Sequence, residues 1–230
     1  MGVGMNKTNI FILGAGGHAE ELRYYFHDHP NPTMLRSGIT ISPSVYLVSD
    51  KDSSKTVSKY QSEVKKGDFT IIGSGVMEIR KRMFNQVKGE LISFKHMSAV
   101  VMSMNNFGGS GYGCCGCVFA PNCVVAPEVN ISDHVLINYG ATVGHNSDIG
   151  KLSVIGPNAS VGGWCKIGSR TYVGAGASIK EKLKIGDDCI IAMGAVVISD
   201  VPDGYIAIGC PATVMSRDMW RLTYKKEIKV

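Results

Sequence analysis

The chain has 230 residues, of which 44% are hydrophobic and 19% are charged, and its formal net charge is +5. This composition is typical of a folded globular protein and excludes a disordered chain. No apolar run approaches the roughly 18 residues that a membrane-spanning helix requires. Residues 1–13 lack a secretory signal pattern, so a cytoplasmic location is expected. The basic residues are too dispersed for a nucleic-acid-binding face, and several of them fall in the C-terminal tail.

The chain begins with the pattern of a nucleotide-binding turn. Asn9–Leu13 predicts a short buried strand, the glycine-rich segment Gly14–Ala19 follows directly, and a helix is predicted from Glu20 to about His27. A strand, a Gly-x-Gly-x-x-Ala turn and a helix form the context in which backbone N–H groups approach a phosphate. Alternatively, the glycines only make tight turns in a βαβ unit.

Two further strands are predicted, Ser44–Ser49 and Phe69–Ile72, and a helix is predicted after the second, up to about Phe84. Ligands of open α/β sheets bind beyond the carboxyl ends of the strands. A full dinucleotide domain does not fit before residue 100, so half of a Rossmann sheet that holds one nucleotide is favoured. The candidate substrate-binding residues at these strand ends are Gly14, Ala15, Gly16, Gly17, His18, Ser49, Asp50, Gly73, Ser74 and Gly75.

An aliphatic β-branched residue returns at every sixth position from Ile131 to Val197, twelve times in succession. This period excludes a helix and a plain strand, and it predicts a parallel β-helix of hexapeptides. A small residue four positions after most of these aliphatics leaves room near each corner of a triangular coil. Three units make one coil, so residues 18 apart stack. Val118 and Val124 keep the period with an offset of one residue, which predicts a corner bulge near Val129.

The seven cysteines include a cluster at Cys114, Cys115, Cys117 and Cys123. A metal site is possible in principle, but no second pair with ligand spacing and no nearby histidine completes a ligand set. We therefore expect no metal, and cysteine is interpreted as a small apolar filler where the β-helix begins.

His145 is the candidate catalytic residue of the β-helix. It follows Val143 by two positions, so its side chain is predicted to point outward, and Gly163, beside Gly162, stacks on it one coil later. This arrangement predicts a groove beside an imidazole, although spacing alone favours an ordinary surface histidine. Stacking also predicts two exterior columns of mostly small residues: Gly156, Gly174 and Ala192, and beside them Pro157, Ala175 and Met193.

The chain resembles the sialic acid O-acetyltransferase and nucleotide-4-amino-sugar N-acetyltransferase family of hexapeptide-repeat enzymes. The resemblance extends over nearly the whole chain. It rests on Phe11–Ala19, Ile72–Gly75 with Ile79-Arg80, His96–Ala99, Ile137–His145 and Ile208–Ala212.

This resemblance implies a left-handed β-helix and a homotrimer with sites between subunits. It implies acetyl-CoA as the acyl donor along the β-helix and a nucleotide-sugar acceptor that reaches from the N-terminal loops. His145 would be the general base, assisted by the next residue, Asn146, and Asn138 would face the acceptor sugar. Ala175 and Met193 match positions of CoA contacts in the family, and Val154 matches a position at which a histidine often contacts the acyl-CoA. The stacked columns add Gly174 and Ala192 to the predicted acetyl-CoA site. Backbone N–H groups beside Gly162 and Gly163 are predicted to stabilise the oxyanion of the acyl-transfer reaction.

Two positions depart from the family pattern. Asn146 stands where the family often has an acidic residue, so Asp148 is an alternative source of charge, and Val154 stands where it often has a second histidine. The nucleotide-type loop at Gly14–His18, together with His145 on the β-helix, favours an N-acetyltransferase that acts on a nucleotide-linked 4-amino-deoxy sugar. An O-acetyltransferase for sialic acid and a catalytically silent trimeric nucleotide-sugar-binding scaffold remain alternatives. The predicted organisation is a Rossmann-like domain at 1–101, a linker at 102–116, the β-helix at 117–201 and a tail at 202–230.

Overall fold

The computed structural model describes residues 9–14, 16–27, 33–34, 44–48, 57–66, 68–102 and 114–224. The N-terminal part is an α/β unit. Its elements are β1 (Asn9–Leu13), α1 (Gly17–His27), β2 (Thr33–Met34), β3 (Ser44–Val48), α2 (Val57–Glu63), β4 (Phe69–Ile72), α3 (Met77–Phe84) and β5 (Glu90–Leu91).

Strands β3, β1, β4 and β5 form one parallel sheet in that order. The predicted half-Rossmann arrangement is therefore confirmed. Strands β1 and β4 are almost wholly buried, as expected for a parallel sheet that is covered on both faces. Helix α1 begins three residues earlier than predicted, at Gly17, and α2 was not predicted.

The rest of the chain is a three-sided parallel β-helix. Face 1 contains β6 (Phe94–Lys95), β8 (Val118–Phe119), β11 (Leu136–Ile137), β14 (Val154–Ile155), β17 (Tyr172–Val173), β20 (Ile190–Ile191) and β22 (Ile206–Ile208). Face 2 contains β7 (Val100–Val101), β9 (Val124–Val125), β12 (Thr142–Val143), β15 (Ser160–Val161), β18 (Ser178–Ile179) and β21 (Val196–Val197). Face 3 contains β10 (Asn130–Ile131), β13 (Asp148–Ile149), β16 (Lys166–Ile167) and β19 (Lys184–Ile185).

The predicted interior is confirmed. All twelve aliphatic residues of the six-residue period are buried, and each strand from β8 to β17 pairs with the strand 18 residues further on. The small corner residues are also buried, and their hydroxyl groups satisfy the backbone. Ser153 Oγ, for example, donates to the carbonyl oxygen of Gly168 at 2.7 Å and accepts from the N–H of Thr171 at 3.0 Å.

The predicted bulge near Val129 is wrong. Phe119 and Val125 pair with Ile137 and Val143, and both side chains are buried inside the β-helix. Val118 instead faces outward. Adjacent residues of a strand face opposite sides, so a one-residue error in register exchanged the interior and exterior positions.

The N-terminal unit packs onto the first coils of face 1. The outward side chains of Val118, Leu136 and Val154 join Ile10, Ile71, Phe94 and others in one buried cluster. The β-helix also begins earlier than the predicted residue 117. Strands β6 and β7 already occupy faces 1 and 2, where they pair in parallel with β8 and β9, whose partner residues lie 24 positions further along the chain.

Residues 206–224, which lie in the predicted C-terminal tail (202–230), form regular secondary structure. Strand β22 extends face 1 and pairs with the antiparallel strand β23 (Thr213–Met215), and helix α4 (Arg217–Tyr224) follows. Ile190, Ile206 and Met215 form a small buried cluster against which Trp220 packs. Within the described part of the chain, no helix is long and apolar enough to cross a membrane.

Candidate active site

His145 lies on the turn between faces 2 and 3, just after β12, and its side chain is exposed as predicted. Its Nδ1 atom is 2.9 Å from Oδ1 of Asn146. A carboxamide oxygen only accepts, so this contact requires the proton on Nδ1 and leaves the lone pair on Nε2. Asn146 adopts a φ of 57°, a conformation that asparagine tolerates well. In the neutral form of the imidazole, this hydrogen bond therefore leaves the lone pair of Nε2 available as a base.

Gly163 provides space beside that nitrogen. A Cβ atom at Gly163 would lie 3.0 Å from Nε2 of His145, so glycine keeps this side of the imidazole open. The neighbouring Trp164 is 54% exposed and meets the imidazole edge to face, with ring centroids 6.0 Å apart. The open space at Nε2 is thus bounded by Trp164.

The predicted oxyanion donors are only partly available. The N–H of Gly162 donates to the carbonyl oxygen of Ile179 at 2.9 Å and belongs to the ladder between coils. The N–H of Gly163 has no hydrogen-bond acceptor within the described residues. Gly162 is therefore unsuited to stabilise an oxyanion, and Gly163 is the candidate that remains.

Asn146, and not Asp148, is the neighbour that contacts His145. The carboxylate of Asp148 accepts a hydrogen bond from Nδ2 of Asn130 at 2.7 Å. In the described part of the chain, no contact joins Asp148 to the imidazole. The alternative that Asp148 supplies the missing charge is not supported.

The predicted columns lie on a different turn, between faces 1 and 2. The N–H of Gly176 donates to Pro157 O at 2.8 Å, and that of Gly194 donates to Ala175 O at 2.9 Å, which confirms the 18-residue stacking. Met193 is 77% exposed at the end of its column. A Cβ atom at Gly174 would lie 2.6 Å from the backbone nitrogen of Met193, so contact between coils is enough to require glycine there. That these columns, with Ala192, hold a ligand stays a prediction.

Asn138 shares this second turn with Ala175 and Met193. Its Oδ1 atom accepts a hydrogen bond from the N–H of Tyr139 at 2.8 Å. His145 lies on the other edge of face 2, beyond β12. Within one copy of the chain, face 2 therefore separates Asn138 and the two columns from the imidazole of His145.

Val154 has a packing role in this structure. Only 1% of the residue is exposed, and its side chain belongs to the cluster that joins face 1 to the N-terminal unit. The structure thus offers no ligand-facing surface at the position where the family often has a second histidine.

The glycines of the N-terminal loops fall into two groups. Gly14 and Gly73 touch each other, since a Cβ atom at Gly14 would lie 2.6 Å from the carbonyl oxygen of Gly73. At Gly16, Gly17 and Gly75, by contrast, a Cβ atom would meet nothing within 4 Å. Packing within the described residues explains the first group but not the second. Gly16 and Gly17 lie at the N-terminus of α1, and Gly75 lies just before that of α3; an anion is favoured at helix N-termini.

Other predicted residues of these loops are only partly defined. Ala15, Ser49 and Asp50 lie outside the described residues. His18 contacts Glu21 through Nδ1 at 3.2 Å, and this hydrogen bond lowers the pKa of the Glu21 carboxyl. Within the described residues, Nε2 of His18 is buried without a partner. Ser74 is 8% exposed, and its Oγ atom accepts the N–H of Val76 at 3.2 Å.

Arg80 links these loops to the β-helix, a role that was not predicted although Ile79-Arg80 was part of the motif. Its guanidinium is fully buried, with Nη1 donating to Ser74 O at 2.7 Å and Nη2 donating to His134 O. Burial lowers the pKa of Arg80 to about 10. On the same helix, Lys81 forms an ion pair with Asp188 at 2.9 Å, on the turn between faces 3 and 1.

The cysteine cluster fills the start of the β-helix. Cys114, Cys117 and Cys123 are buried in its core, and burial raises the pKa of the Cys123 thiol to about 12. Within the described ranges, no group of three potential metal ligands is present. These thiols act as small apolar side chains here, in agreement with their interpretation as filler.

The family comparison agrees with the repeat architecture. Residues 146–181 and 164–199 match the family described as bacterial transferase hexapeptide (six repeats). Such repeats fit a left-handed β-helix, and the predicted fold class is confirmed. A comparison of the sequence with curated proteins finds no match.

Several solved structures share the fold of this chain over about nine tenths of its length. WeeI from Acinetobacter baumannii is 20% identical, with a TM-score of 0.75 over 91% of this chain and 100% of that one. The acetyltransferase domain of PglB from Neisseria gonorrhoeae is 21% identical, with the same TM-score and coverage. PerB from Caulobacter crescentus, solved with CoA and GDP-perosamine, is 23% identical, with a TM-score of 0.72 over 90% of this chain and 97% of that one. The predicted resemblance is therefore confirmed in the fold.

Proposed function

We propose that this chain is an acetyl-CoA-dependent N-acetyltransferase that acts on a nucleotide-linked 4-amino-deoxy sugar. The observation that carries the proposal is the His145–Asn146 pair, which presents a free Nε2 atom beside the open space at Gly163. Histidine is the side chain best suited to take a proton near neutral pH. PerB, with CoA and GDP-perosamine, and the PglB domain, with acetyl-CoA, support this substrate class by their shared fold.

In the proposed reaction, the acceptor amine attacks the carbonyl carbon of the thioester and a C–N bond forms. His145 Nε2 takes the proton that the amine loses, and the Gly163 N–H stabilises the oxyanion of the tetrahedral intermediate. The C–S bond then breaks, and the imidazolium returns the proton to the departing thiolate of CoA. No covalent enzyme intermediate is needed, so the buried cysteines have no part in the chemistry.

The two turns of face 2 support a site that is shared between copies of the chain. The columns at Ala175 and Met193, which would hold acetyl-CoA, lie on one edge of this face, and His145 lies on the other. Between them, the outward residues Thr142, Ser160 and Ser178 are exposed and small. In a homotrimer, packing of these faces would bring the turn with Ala175 and Met193 of one copy next to His145 of its neighbour.

The nucleotide would bind at the N-terminal loops. Gly16 and Gly17 at the start of α1, and Gly75 just before α3, have open space where a Cβ atom would lie, so a diphosphate can approach the backbone there. This feature favours a nucleotide-linked acceptor over free sialic acid, the acceptor of the alternative O-acetyltransferase. A scaffold without activity would need neither the oriented imidazole nor the space beside it.

Mass spectrometry of a pooled reaction tests the proposal. Acetyl-CoA would be mixed with UDP-, dTDP- and GDP-linked 4-amino sugars and with free sialic acid. We expect one nucleotide sugar to gain a single acetyl group, and His145→Ala to abolish the product. His96→Ala is the matched control, because His96 lies in the first coil and its Nδ1 atom contacts Ser98.

Each outcome has a definite meaning. Acetylated sialic acid alone would replace the proposal with the O-acetyltransferase. Full activity of His145→Ala would remove this histidine as the base. Binding of nucleotide sugars without acetylation of any acceptor would support the catalytically silent scaffold.

A further inference from the structure

Trp164 occupies a backbone position that is unfavourable for a large side chain. Its φ is 63°, in the left-handed region, at a turn position that carries asparagine in several other coils. Asn122, Asn146 and Asn158 are examples, and glycine occupies the position at Gly140 and Gly176. A bulky aromatic residue adopts this conformation at an energetic cost, and residues that are strained in this way cluster at functional sites.

Three of the other large side chains in this conformation, those of His134, Leu152 and Arg170, are held by tertiary contacts, whereas Glu128 and Lys182 are charged and exposed to solvent. His134 and Leu152 are buried against the N-terminal unit, and Arg170 forms an ion pair with Asp188 at 2.7 Å. Trp164 is instead 54% exposed, and the ring that it meets within the described residues is that of His145. Contacts with the part of the chain that the structure describes therefore do not explain a tryptophan at this position.

The contact with His145 places an aromatic surface beside the proposed base. The two rings stand at 88° with centroids 6.0 Å apart. The backbone N–H of Trp164 also donates a hydrogen bond to the backbone carbonyl oxygen of His145 at 2.8 Å. Gly163 keeps the space at Nε2 open. An amine within hydrogen-bond distance of Nε2 would therefore bring the rest of its sugar ring to the indole.

We propose that Trp164 is a specificity-determining residue that packs against the acceptor sugar. This inference rests on the proposed function and names the part of the sugar that the site selects. The indole is apolar and its face is electron-rich, so it favours C–H groups and disfavours a carboxylate. It would select a deoxy sugar, whose methyl group and ring C–H bonds cover the indole, over a fully hydroxylated or acidic sugar.

The test compares Trp164→Asn and Trp164→Phe with the unmodified chain. Asparagine suits the backbone conformation, so Trp164→Asn should fold with equal or greater thermal stability. Lys182→Asn is the matched control, because Lys182 is exposed one coil further along the same turn, with a φ of 64°. The substrates are the 4-amino-6-deoxy nucleotide sugar that the unmodified chain acetylates and its 6-hydroxy analogue.

We expect Trp164→Asn to raise KM for the deoxy sugar about tenfold to a hundredfold, the range that hydrophobic pocket contacts provide. The KM for acetyl-CoA should stay within about twofold, and the preference for the deoxy sugar over its 6-hydroxy analogue should disappear. Trp164→Phe should retain part of that preference, and Lys182→Asn all of it. Titration of the nucleotide sugar without acetyl-CoA should quench tryptophan fluorescence in the unmodified chain and much less in Trp164→Asn.

Two results would overturn the inference. Unchanged KM and sugar preference in Trp164→Asn would show that the indole does not touch the acceptor. Loss of the native oligomeric state in that variant would make Trp164 an interface residue. An unmodified chain that acetylates no sugar would contradict the proposed function itself, which separates the two failures.

Discussion

Arg80, on the last helix of the N-terminal unit, donates a hydrogen bond through Nη2 to the main-chain oxygen of His134 on the β-helix. Its Nη1 atom donates to Ser74 O, at the carboxyl end of β4. One buried guanidinium thus connects the proposed nucleotide loops to the β-helix. Among the described residues, its acceptors are carbonyl oxygens and not carboxylates, so its position depends on the geometry of both units.

We predict that Arg80→Met lowers the stability of the protein. The substitution leaves two buried carbonyl oxygens unsatisfied, at a cost of about 3 kcal/mol in the free energy of unfolding. Thermal unfolding should show a fall in Tm of roughly 5–10 °C. Arg82→Met, an exposed arginine on the same helix, is the control and should leave Tm nearly unchanged. Equal Tm values for both variants would contradict the structural role of Arg80.

The buried imidazole of His134 predicts a pH dependence of stability. Burial, together with the nearby cations Arg80 and Lys151, lowers the pKa of His134 from its ordinary 6.5 to about 4, with Asp133 acting in the opposite direction. The unfolded chain therefore binds the proton more readily between these values. The contribution of neutral His134 to the free energy of unfolding is therefore fully present above pH 6.5. It is lost as the pH falls to about 4, and the free energy of unfolding decreases by on the order of 3 kcal/mol.

Denaturant unfolding at several pH values measures this effect. In His134→Asn, which suits the φ of 56° at this position, the fall in stability between pH 6.5 and pH 4 should be clearly smaller. A variant that keeps the full pH dependence of the unmodified chain would assign it to other groups.

The hydrogen bond from His145 to Asn146 predicts a catalytic effect without a structural one. Asn146→Gly keeps the favourable backbone conformation at a φ of 57° but removes the acceptor for Nδ1. By analogy with groups that orient metal-binding histidines, kcat should fall about tenfold to a hundredfold. Asn146→Asp should retain or raise kcat, since a carboxylate accepts the same hydrogen bond and stabilises the imidazolium.

The control for this comparison is Asn122→Gly, which has the same backbone conformation, with a φ of 58°, on the turn between faces 1 and 2 of an early coil. It should match the unmodified chain in both kcat and Tm. If Asn146→Gly also retains full kcat, orientation by this side chain is unnecessary.

The N-terminal glycines allow packing to be separated from ligand binding. Gly14→Ala places a Cβ atom 2.6 Å from Gly73 O at a φ of 135°, so it should lower Tm. Gly17→Ala meets open space and should leave Tm unchanged while weakening nucleotide-sugar binding, measured by calorimetry. Unchanged binding in Gly17→Ala would move the nucleotide away from this turn.

The sequence was sufficient for the features that depend on local periodicity. The six-residue repeat from Ile131 to Val197 identified the interior residues and the 18-residue stacking, and alternation placed His145 outside the β-helix. The glycine turn after Asn9–Leu13 predicted the parallel sheet. Each of these follows from steric rules that act over a few residues.

The sequence did not determine which residues of the early coils point into the interior of the β-helix. Val118 and Phe119 are both apolar, and Val118 is outward yet buried, because the N-terminal unit covers face 1. The same docking buries Val154, which a repeat pattern alone leaves on the surface. Alternation predicts which side of a strand a residue faces, but not whether another domain covers that side.

Tertiary structure alone decided the contacts between distant segments. It brought Arg80 to His134, folded residues 206–224 back onto the last coil, and placed the predicted acetyl-CoA columns and His145 on opposite edges of face 2. The repeat specifies each coil from within, because every interior residue contacts the neighbouring coils. Where domains dock, and which edges of a face remain free to form a site, depends on surfaces that lie far apart in the sequence and meet only after folding.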